Sequence, residues 1–306
     1  MKNATPRRIP SGPTKAERLA TGPWVEPRSR GGVRRWCAVL AVVALAACTG
    51  TGGVVPAGAL STERIDEIVA SPDRSNADRN NDLRRKPAQM LAFIAPRPGM
   101  VALDLFAGGG YTAELLARAV GPSGRVYGQS APPAVRRPPA QPEGAAAPLS
   151  AAASAPVRRT TPMALAERAT NPKVGNLLSV VQAFDDPVPA ALAQGGLDLV
   201  TLMFNYHDLG HMGLDRERMN RAVFAALKPG GSYVIADHAG RPGTGISEAG
   251  TLHRIEEAFL RQEVERVGFR LLASGDFLRN PADPRDRNTP EPPMPKDEFV
   301  LKFVKP

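Results

Sequence analysis

Short apolar runs of strand length alternate with longer amphipathic segments from residue 100 to the end of the chain. The strand-like runs cover residues 100–105, 125–129, 178–184, 197–204, 232–236, 269–274 and 298–304. The helix-like segments cover residues 113–120, 188–194, 215–227 and 246–267, and residues 163–169 carry part of another helical pattern. This alternating order of strand, helix and strand predicts parallel strands joined by right-handed helical crossovers, and therefore an α/β sheet.

Two further segments lie outside this alternation. Residues 62–86 are charged and compatible with helix, and we interpret them as a solvated helical face. Residues from about 130 to 162 are rich in Ala, Pro, Ser and Arg without apolar periodicity, which is typical of a disordered insert or a mobile flap. We therefore predict one folded domain over residues 62–306 that carries an Ala/Pro-rich insert at about 130–162.

The positive charge of the chain is concentrated at its N terminus. The net charge is +9, but residues 1–47 hold nine basic and two acidic residues, so the other 259 residues carry only +2. The body shows no basic stripe with interleaved aromatic residues. We therefore expect no nucleic-acid partner.

The N-terminal segment has the layout of a bacterial export signal. A basic stretch that ends at Arg34 and Arg35 precedes twelve apolar residues, which are too few for a permanent membrane span but suit a signal peptide. Leu45-Ala-Ala-Cys48 resembles the lipobox, in which Cys48 becomes the lipidated first residue of the mature protein. This reading gives a signal peptide at 1–47, a flexible tether at 48–61 and a lipid anchor in the cell envelope, facing the periplasm. Two alternatives stay open: an ordinary signal with an incidental cysteine, and a twin-arginine signal.

A glycine turn follows the first predicted strand. Gly108 and Gly110 leave room for a ligand to approach backbone N–H groups at a helix start. The turn alone also fits a dinucleotide site, but such a site needs an acid about 20 residues further on, and the second strand ends in Gln129. Asp104, four residues before Gly108, suits the ammonium group of an amino-acid cofactor and would repel a pyrophosphate. The turn therefore favours an amino-acid cofactor over NAD.

The chain from about residue 85 to 306 resembles bacterial class I S-adenosylmethionine-dependent methyltransferases, including exported members. The motifs that carry the resemblance are Leu103-Asp-Leu-Phe-Ala-Gly-Gly-Gly-Tyr111, Val126-Tyr-Gly-Gln129, Phe184-Asp-Asp186, Phe204-Asn-Tyr-His-Asp208 and Leu227-Lys-Pro-Gly-Gly231. The resemblance implies a doubly wound, Rossmann-like sheet of seven strands in the order 3-2-1-4-5-7-6, with strand 7 antiparallel and helices on both faces. It also implies S-adenosylmethionine across the ends of strands 1 and 2.

The resemblance places six residues at the cofactor site and gives five of them a role. Asp104, Gly108 and Gly110 would hold the methionine part, Gln129 would face the ribose, and Asp185 would accept from the adenine amine. Phe106 stands where the family usually has its first glycine, and Gln129 replaces the usual acid. Phe106 narrows the turn, and the neutral amide of Gln129 gives weaker hydrogen bonds than a carboxylate. Both departures therefore predict weakened cofactor binding.

Polar residues after the fourth strand are the candidate catalytic group. Asn205 can position a nucleophile, and His207 with Asp208 can take its proton; alternatively, these residues only bond the loop backbone. His207, Asp208 and His211 resemble a metal cluster in composition, but the pattern lacks helical context and we predict no metal site. Asp237 and His238 end the fifth strand and are expected to line the same pocket, whereas we expect His253 to be a surface or core residue of a helix.

These features predict an enzyme that transfers a methyl group from S-adenosylmethionine to a small molecule. The alternative is a lipid-anchored binding or scaffold protein that keeps the fold and has lost catalysis. Phe106, Gln129 and the envelope location favour the alternative, whereas Asp104, the glycines and the Asn-Tyr-His-Asp loop favour the enzyme.

Overall fold

The computed structural model describes residues 58–132, 161–288 and 294–306. Its seven strands form one sheet in the order β3-β2-β1-β4-β5-β7-β6, with β7 antiparallel to both of its neighbours. The predicted fold class and strand order are therefore confirmed. The strands are β1 (Val101–Leu105), β2 (Arg125–Ser130), β3 (Leu177–Val181), β4 (Leu197–Met203), β5 (Leu227–His238), β6 (Arg270–Gly275) and β7 (Glu298–Val304).

Helices cover both faces of the sheet. They are α1 (Thr62–Ala70), α2 (Asn76–Arg85), α3 (Pro87–Ile94), α4 (Tyr111–Val120), α5 (Thr161–Arg168), α6 (Tyr206–His211), α7 (Arg216–Ala226), α8 (Ala249–Leu252) and α9 (Glu257–Arg266). Residues of α1, α3, α4 and α5 pack into one apolar cluster, and residues of α6, α7 and α9 pack into the other. The core thus consists of two layers that sandwich the sheet, as expected for a parallel sheet buried on both sides.

Side-chain caps fix the starts of three helices. Ser61 accepts a hydrogen bond from the Arg64 N–H at the start of α1, and Ser75 caps α2 in the same way. Asp215 accepts from the Arg218 N–H at the start of α7. Each cap satisfies a backbone N–H that has no partner within the helix.

The region after β5 differs from the sequence prediction. The prediction of a single helix over residues 246–267 is wrong. Helix α8 ends at Leu252, and His253 then takes a left-handed conformation with φ of 51°. Ile255 forms a bridge with Ala239. Tertiary pairing therefore overrides the helical pattern of the sequence at this point. The helix predicted over residues 188–194 is one 3-10 turn at Ala190–Leu192, and residues 206–211, treated as loop in the sequence, form α6.

Several predicted segments lie outside the described residues. These are the signal peptide at 1–47, Cys48 and most of the tether, and most of the insert. Ser130 closes β2 and Thr161 begins α5, so the described structure reaches into both ends of the predicted insert. Among the described helices, none is both long and apolar enough to cross a membrane.

We predict that Gly128→Ala destabilises the protein by about 1–3 kcal/mol because of overpacking. A Cβ on Gly128 would lie 2.9 Å and 3.0 Å from the two terminal methyl carbons of buried Leu165. Urea unfolding measures the change. In a Leu165→Ala background the added penalty of Gly128→Ala should shrink, whereas Gly109→Ala, with no atom within 4 Å of the new methyl, is the control that should be nearly neutral. An equal penalty in both backgrounds would contradict the packing assignment.

Candidate functional site

The turn between β1 and α4 uses its glycines in two different ways. Gly110 has φ of 84° directly before α4, and a Cβ there would lie 2.8 Å from Leu165 Cδ1. Gly108 has φ of 57°, and the nearest atom to an added Cβ is the Phe106 carbonyl oxygen at 3.9 Å. Gly110 is therefore required by packing, whereas Gly108 borders open space of the kind that a ligand needs.

Asp104 lies below this turn and is 2% exposed. Its carboxylate accepts from Thr201 Oγ1 at 2.6 Å and from the backbone N–H of Ala113 in the first turn of α4. Burial raises the pKa of Asp104 to about 7, and these hydrogen bonds oppose the rise without cancelling it. A buried carboxylate of this kind gains stability from a cationic partner, which an amino-acid ammonium group would supply.

Gln129 is fully buried, and both ends of its amide are already used. Oε1 accepts from the Phe106 N–H at 3.0 Å, and Nε2 donates to the Gln182 carbonyl at 2.8 Å. The amide thus joins the backbone after β1 to the backbone after β3. These bonds use two of the about four that an amide can make, so the chain fixes the orientation of Gln129 while one lone pair and one N–H remain.

Phe106 and Phe184 close the space beside Gln129. Their rings stack with centroids 3.5 Å apart and planes 9° apart. Asp185, expected to accept from an adenine amine, lies 3.5 Å from Arg218 Nη1 on α7. On the predicted adenine side, Phe106 and Phe184 thus contact each other, and Asp185 is partly exposed beside Arg218.

Helix α2 and Arg168 of α5 hold the glycine turn from outside. Arg168 Nε donates to the Gly109 carbonyl at 2.5 Å, and its guanidinium pairs with Asp78 of α2 at 2.6 Å and with Glu114 of α4. Asp78 and Arg74 are each 4% exposed. The interpretation of residues 62–86 as a solvated helical face is therefore wrong for these two side chains, which are buried because they find charged partners.

Arg85, the last residue of α2, lies between two aromatic rings. Its guanidinium carbon is 4.8 Å from the centroid of the Phe204 ring and 5.1 Å from that of the Tyr111 ring. The cavity beside Arg85, Tyr111 and Phe204 measures about 20 Å³, room for about one water. A larger ligand entering here must displace α2 or the Arg85 side chain.

A second group of polar side chains lies at the ends of β4 and β5. Asp237 is fully buried; its Oδ2 accepts from the His207 N–H at 2.9 Å, and its Oδ1 lies 2.7 Å from His207 Nδ1. Burial by itself lowers the pKa of His207, but the hydrogen bonds to Asp208 and Asp237 outweigh it and raise that pKa to about 9. In this arrangement His207 carries a proton at neutral pH, which is the opposite of the free base that the sequence suggested.

Asp208 contacts three other polar side chains of this group. Its Oδ1 lies 3.1 Å from His207 Nε2 and 3.3 Å from His253 Nδ1, and its Oδ2 accepts from Asn205 Nδ2 at 3.1 Å. Although burial alone would raise the pKa of Asp208, the contact with His207 holds it well below its usual range. The structure thus brings the three predicted catalytic residues together and adds His253.

His238 connects this group to α2. Its Nδ1 lies 3.0 Å from Glu298 Oε1, which also accepts from Arg84 Nη1 at 2.8 Å. The His238 ring lies 5.4 Å from the His207 ring and 5.6 Å from the Phe204 ring. Packed rings therefore run from the β5 end to the residues that border the glycine turn.

Sequence reasoning missed His253, Arg168 and Arg85. His253 was expected in a helix, but its left-handed backbone at the end of α8 turns the ring to Asp208. Its position 45 residues after Asp208 gave no local signal. His211, the histidine grouped with His207 by spacing, is absent from the described cluster of possible ligands.

Comparison with known proteins gives evidence on the fold of the chain. No protein-family model matches the sequence, and no curated protein matches it. Among solved structures, a SAM-dependent methyltransferase from Aquifex aeolicus matches 81% of this chain and 100% of its own, with a TM-score of 0.51 and 15% identity. The seven strands of the present sheet follow the order predicted for that fold. The chain has the class I methyltransferase fold.

Two further solved structures, both named as methyltransferases, are less similar. One is a chain from the complex of the Haloferax volcanii Trm112 methyltransferase activator with a methyltransferase, at TM-score 0.49 and 16% identity, covering 81% of this chain and 100% of its own. The other is an arsenic(III) S-adenosylmethionine methyltransferase from Chlamydomonas reinhardtii, at TM-score 0.43 and 20% identity, covering 68% and 64%.

We predict that Asp104→Asn stabilises the protein progressively as the pH rises. A carboxyl group with a folded pKa of about 7 and an unfolded value of 3.8 binds more protons in the folded state, so its ionisation removes stability between these two pH values. Asparagine has no such ionisation. Urea unfolding should show that the difference between variant and wild type grows by about 2–3 kcal/mol from pH 5 to pH 8. A difference independent of pH would show that the pKa of Asp104 is not raised.

Proposed function

We propose that the protein transfers a methyl group from S-adenosylmethionine to a small-molecule substrate. The observation that carries the proposal is the buried Asp104 carboxylate near the end of β1, together with the open space at Gly108 in the turn that follows, at the carboxyl edge of a methyltransferase-fold sheet. In open α/β sheets, ligands bind outside the carboxyl ends of the strands. The neighbouring solved structures named as SAM-dependent methyltransferases support the same cofactor.

The residues fit the amino-acid part of that cofactor better than its nucleoside part. Asp104 provides a buried carboxylate whose hydrogen bonds come from neutral donors and which the charge of Arg85 also attracts. Gly108 borders open space in the turn after β1. S-adenosylmethionine would supply the methyl group at this place. On the nucleoside side, Gln129 and Phe106 are engaged with the chain, so we propose that the Phe106–Phe184 stack opens when the cofactor enters.

The remaining residues exclude water and border the substrate. Arg85, Phe204 and Tyr111 cover the site from the α2 side and leave little space for solvent. Asn205 and Asp208 lie at the β4 end of the same edge, joined by a hydrogen bond. We propose that these residues orient the substrate atom that receives the methyl group, since fixed orientation contributes much of the rate in such transfers.

Gly108→Val is expected to abolish S-adenosylmethionine binding. The valine side chain fills the open space at Gly108 and blocks the approach to the backbone. Isothermal titration calorimetry of the purified chain with S-adenosylmethionine and S-adenosylhomocysteine measures the loss. Gly109→Val is the control for an added side chain elsewhere in the turn, because Gly109 has no positive φ. Gly121→Val is the control for backbone strain, because Gly121 has φ of 65° and no atom within 4 Å of an added Cβ.

Three results would decide the assignment. Binding by wild type and Gly109→Val but not by Gly108→Val supports the site, provided that circular dichroism shows all three chains folded. Equal binding by both variants removes Gly108 from the site. If wild type binds neither compound, the cofactor assignment fails and a non-catalytic binding or scaffold role replaces it. Asp104→Asn serves as a second variant if Gly108→Val does not fold, with weaker binding expected.

We also propose that the protein is exported and held in the cell envelope by a lipid on Cys48. The support is the sequence pattern of basic residues, apolar run and Leu-Ala-Ala-Cys. A lipid at Cys48 would place the domain at the membrane surface, where it would act on substrates of the envelope.

Cys48→Ala should move the protein from the membrane fraction to the soluble fraction of bacterial cells. The change removes the thiol that would carry the diacylglycerol, so the chain would lose its anchor. Fractionation followed by immunoblotting measures the distribution, and Cys37→Ala, in the apolar run, is the control that should stay with membranes. Unchanged membrane association of Cys48→Ala would overturn the anchor.

A further inference from the structure

Two histidines and an aspartate from separate segments converge on one point. His207 and Asp208 belong to α6, and His253 follows α8. One nitrogen or oxygen atom of each side chain lies within 4.8 Å of those of the other two. Within residues 58–132, 161–288 and 294–306, this is the one such group of three or more possible ligands.

The distances within the group match the ligand spacing of a bound metal ion. Asp208 Oδ1 lies 3.1 Å from His207 Nε2 and 3.3 Å from His253 Nδ1. Nitrogen and oxygen ligands at about 2.0–2.2 Å from a metal lie about 3.3–3.6 Å apart in tetrahedral geometry. These two distances therefore suit a shared ion, and the remaining pair, His207 and His253, lies within 4.8 Å.

Asp237 orients the His207 ring for metal binding. Its carboxylate lies 2.7 Å from Nδ1 of the His207 ring and also accepts from the His207 backbone N–H. A carboxylate on one ring nitrogen fixes the orientation of a histidine and leaves the other nitrogen for a metal. Here the other nitrogen is Nε2, which lies 3.1 Å from Asp208 Oδ1. A metal ion at this point would replace the proton that Nε2 shares with Asp208, so binding should release a proton.

The group is closed on one side and open on the other. The side chain of His207 is 3% exposed, that of Asp208 26% and that of His253 43%. An ion can therefore reach the site from solvent past His253. Three protein ligands also leave at least one coordination position for water or for an atom of a substrate.

We propose that His207, Asp208 and His253 bind one divalent transition-metal ion. Two imidazole nitrogens and one carboxylate oxygen are ligands that Zn²⁺ prefers, so Zn²⁺ is the appropriate probe. The proposal is independent of the proposed methyl transfer, since it needs no cofactor at the glycine turn. The other explanation of the geometry is a network of hydrogen bonds that holds α6 against the β5 end.

Titration of the chelator-treated full chain with Zn²⁺ tests the proposal. Wild type should bind one equivalent at this site, and His253→Ala should weaken that binding by at least about 100-fold, since even loss of a supporting residue costs 10–100-fold. His211→Ala is the matched control: it removes another histidine of α6 that lies outside the group, and its affinity should equal that of wild type. Asp237→Asn should weaken Zn²⁺ binding by about 10–100-fold.

Substitution of Co²⁺ provides a second, independent measurement. Wild type and His211→Ala should give the visible absorption of nitrogen-coordinated Co²⁺, and His253→Ala should lose it. Because His253 is partly exposed, its variant should keep the thermal unfolding midpoint of wild type in the presence of chelator. Equal Zn²⁺ affinity in wild type and His253→Ala, or no Zn²⁺ binding by folded wild type, would overturn the metal site and leave the hydrogen-bond network.

Discussion

Parallel pairing of β1, β4 and β5 is the constraint on which the candidate site depends. Asp104 lies opposite Thr201 in the β1–β4 register, and this places the Thr201 hydroxyl where it donates to the buried carboxylate. Met203, the last residue of β4, lies opposite Ala236, and β5 continues for two more residues, Asp237 and His238, along β7. The polar residues that follow each strand then meet at one edge, as the carboxyl ends of parallel strands require.

Charged residues close this edge instead of leaving it open to solvent. Asp78, Glu114 and Arg168 come from three helices and meet at the glycine turn. Taking charges out of water is costly, and removing one partner leaves the others buried without compensation. The three helices are therefore mutually dependent, and α2 is held over the turn by specific pairs more than by apolar contact.

The strands, the glycine turn and the strand order could be predicted because their signals are local or belong to a recognisable fold. Residues 101–105 are an apolar run, and Gly108 and Gly110 follow directly. The course of the chain around His253 could not be predicted, because the helical pattern there is broken by pairing of Ile255 with Ala239, a residue 16 positions earlier. The burial of Asp78 could not be predicted either, because its partner Arg168 lies 90 residues further along the chain. Polar residues at strand ends were predicted as a group, but their individual partners are set by tertiary structure.

The stacked rings of Phe106 and Phe184 join the end of β1 to the segment after β3. Separating two stacked rings forfeits about 0.5–1.5 kcal/mol beyond the apolar area that they bury. A saturated ligand that enters between them cannot restore that interaction, whereas a ligand with a flat aromatic ring offers two faces, one to each phenylalanine. If the stack opens as proposed, it would therefore select by shape and electronic character, and an aromatic ligand would gain an advantage that does not depend on any hydrogen bond.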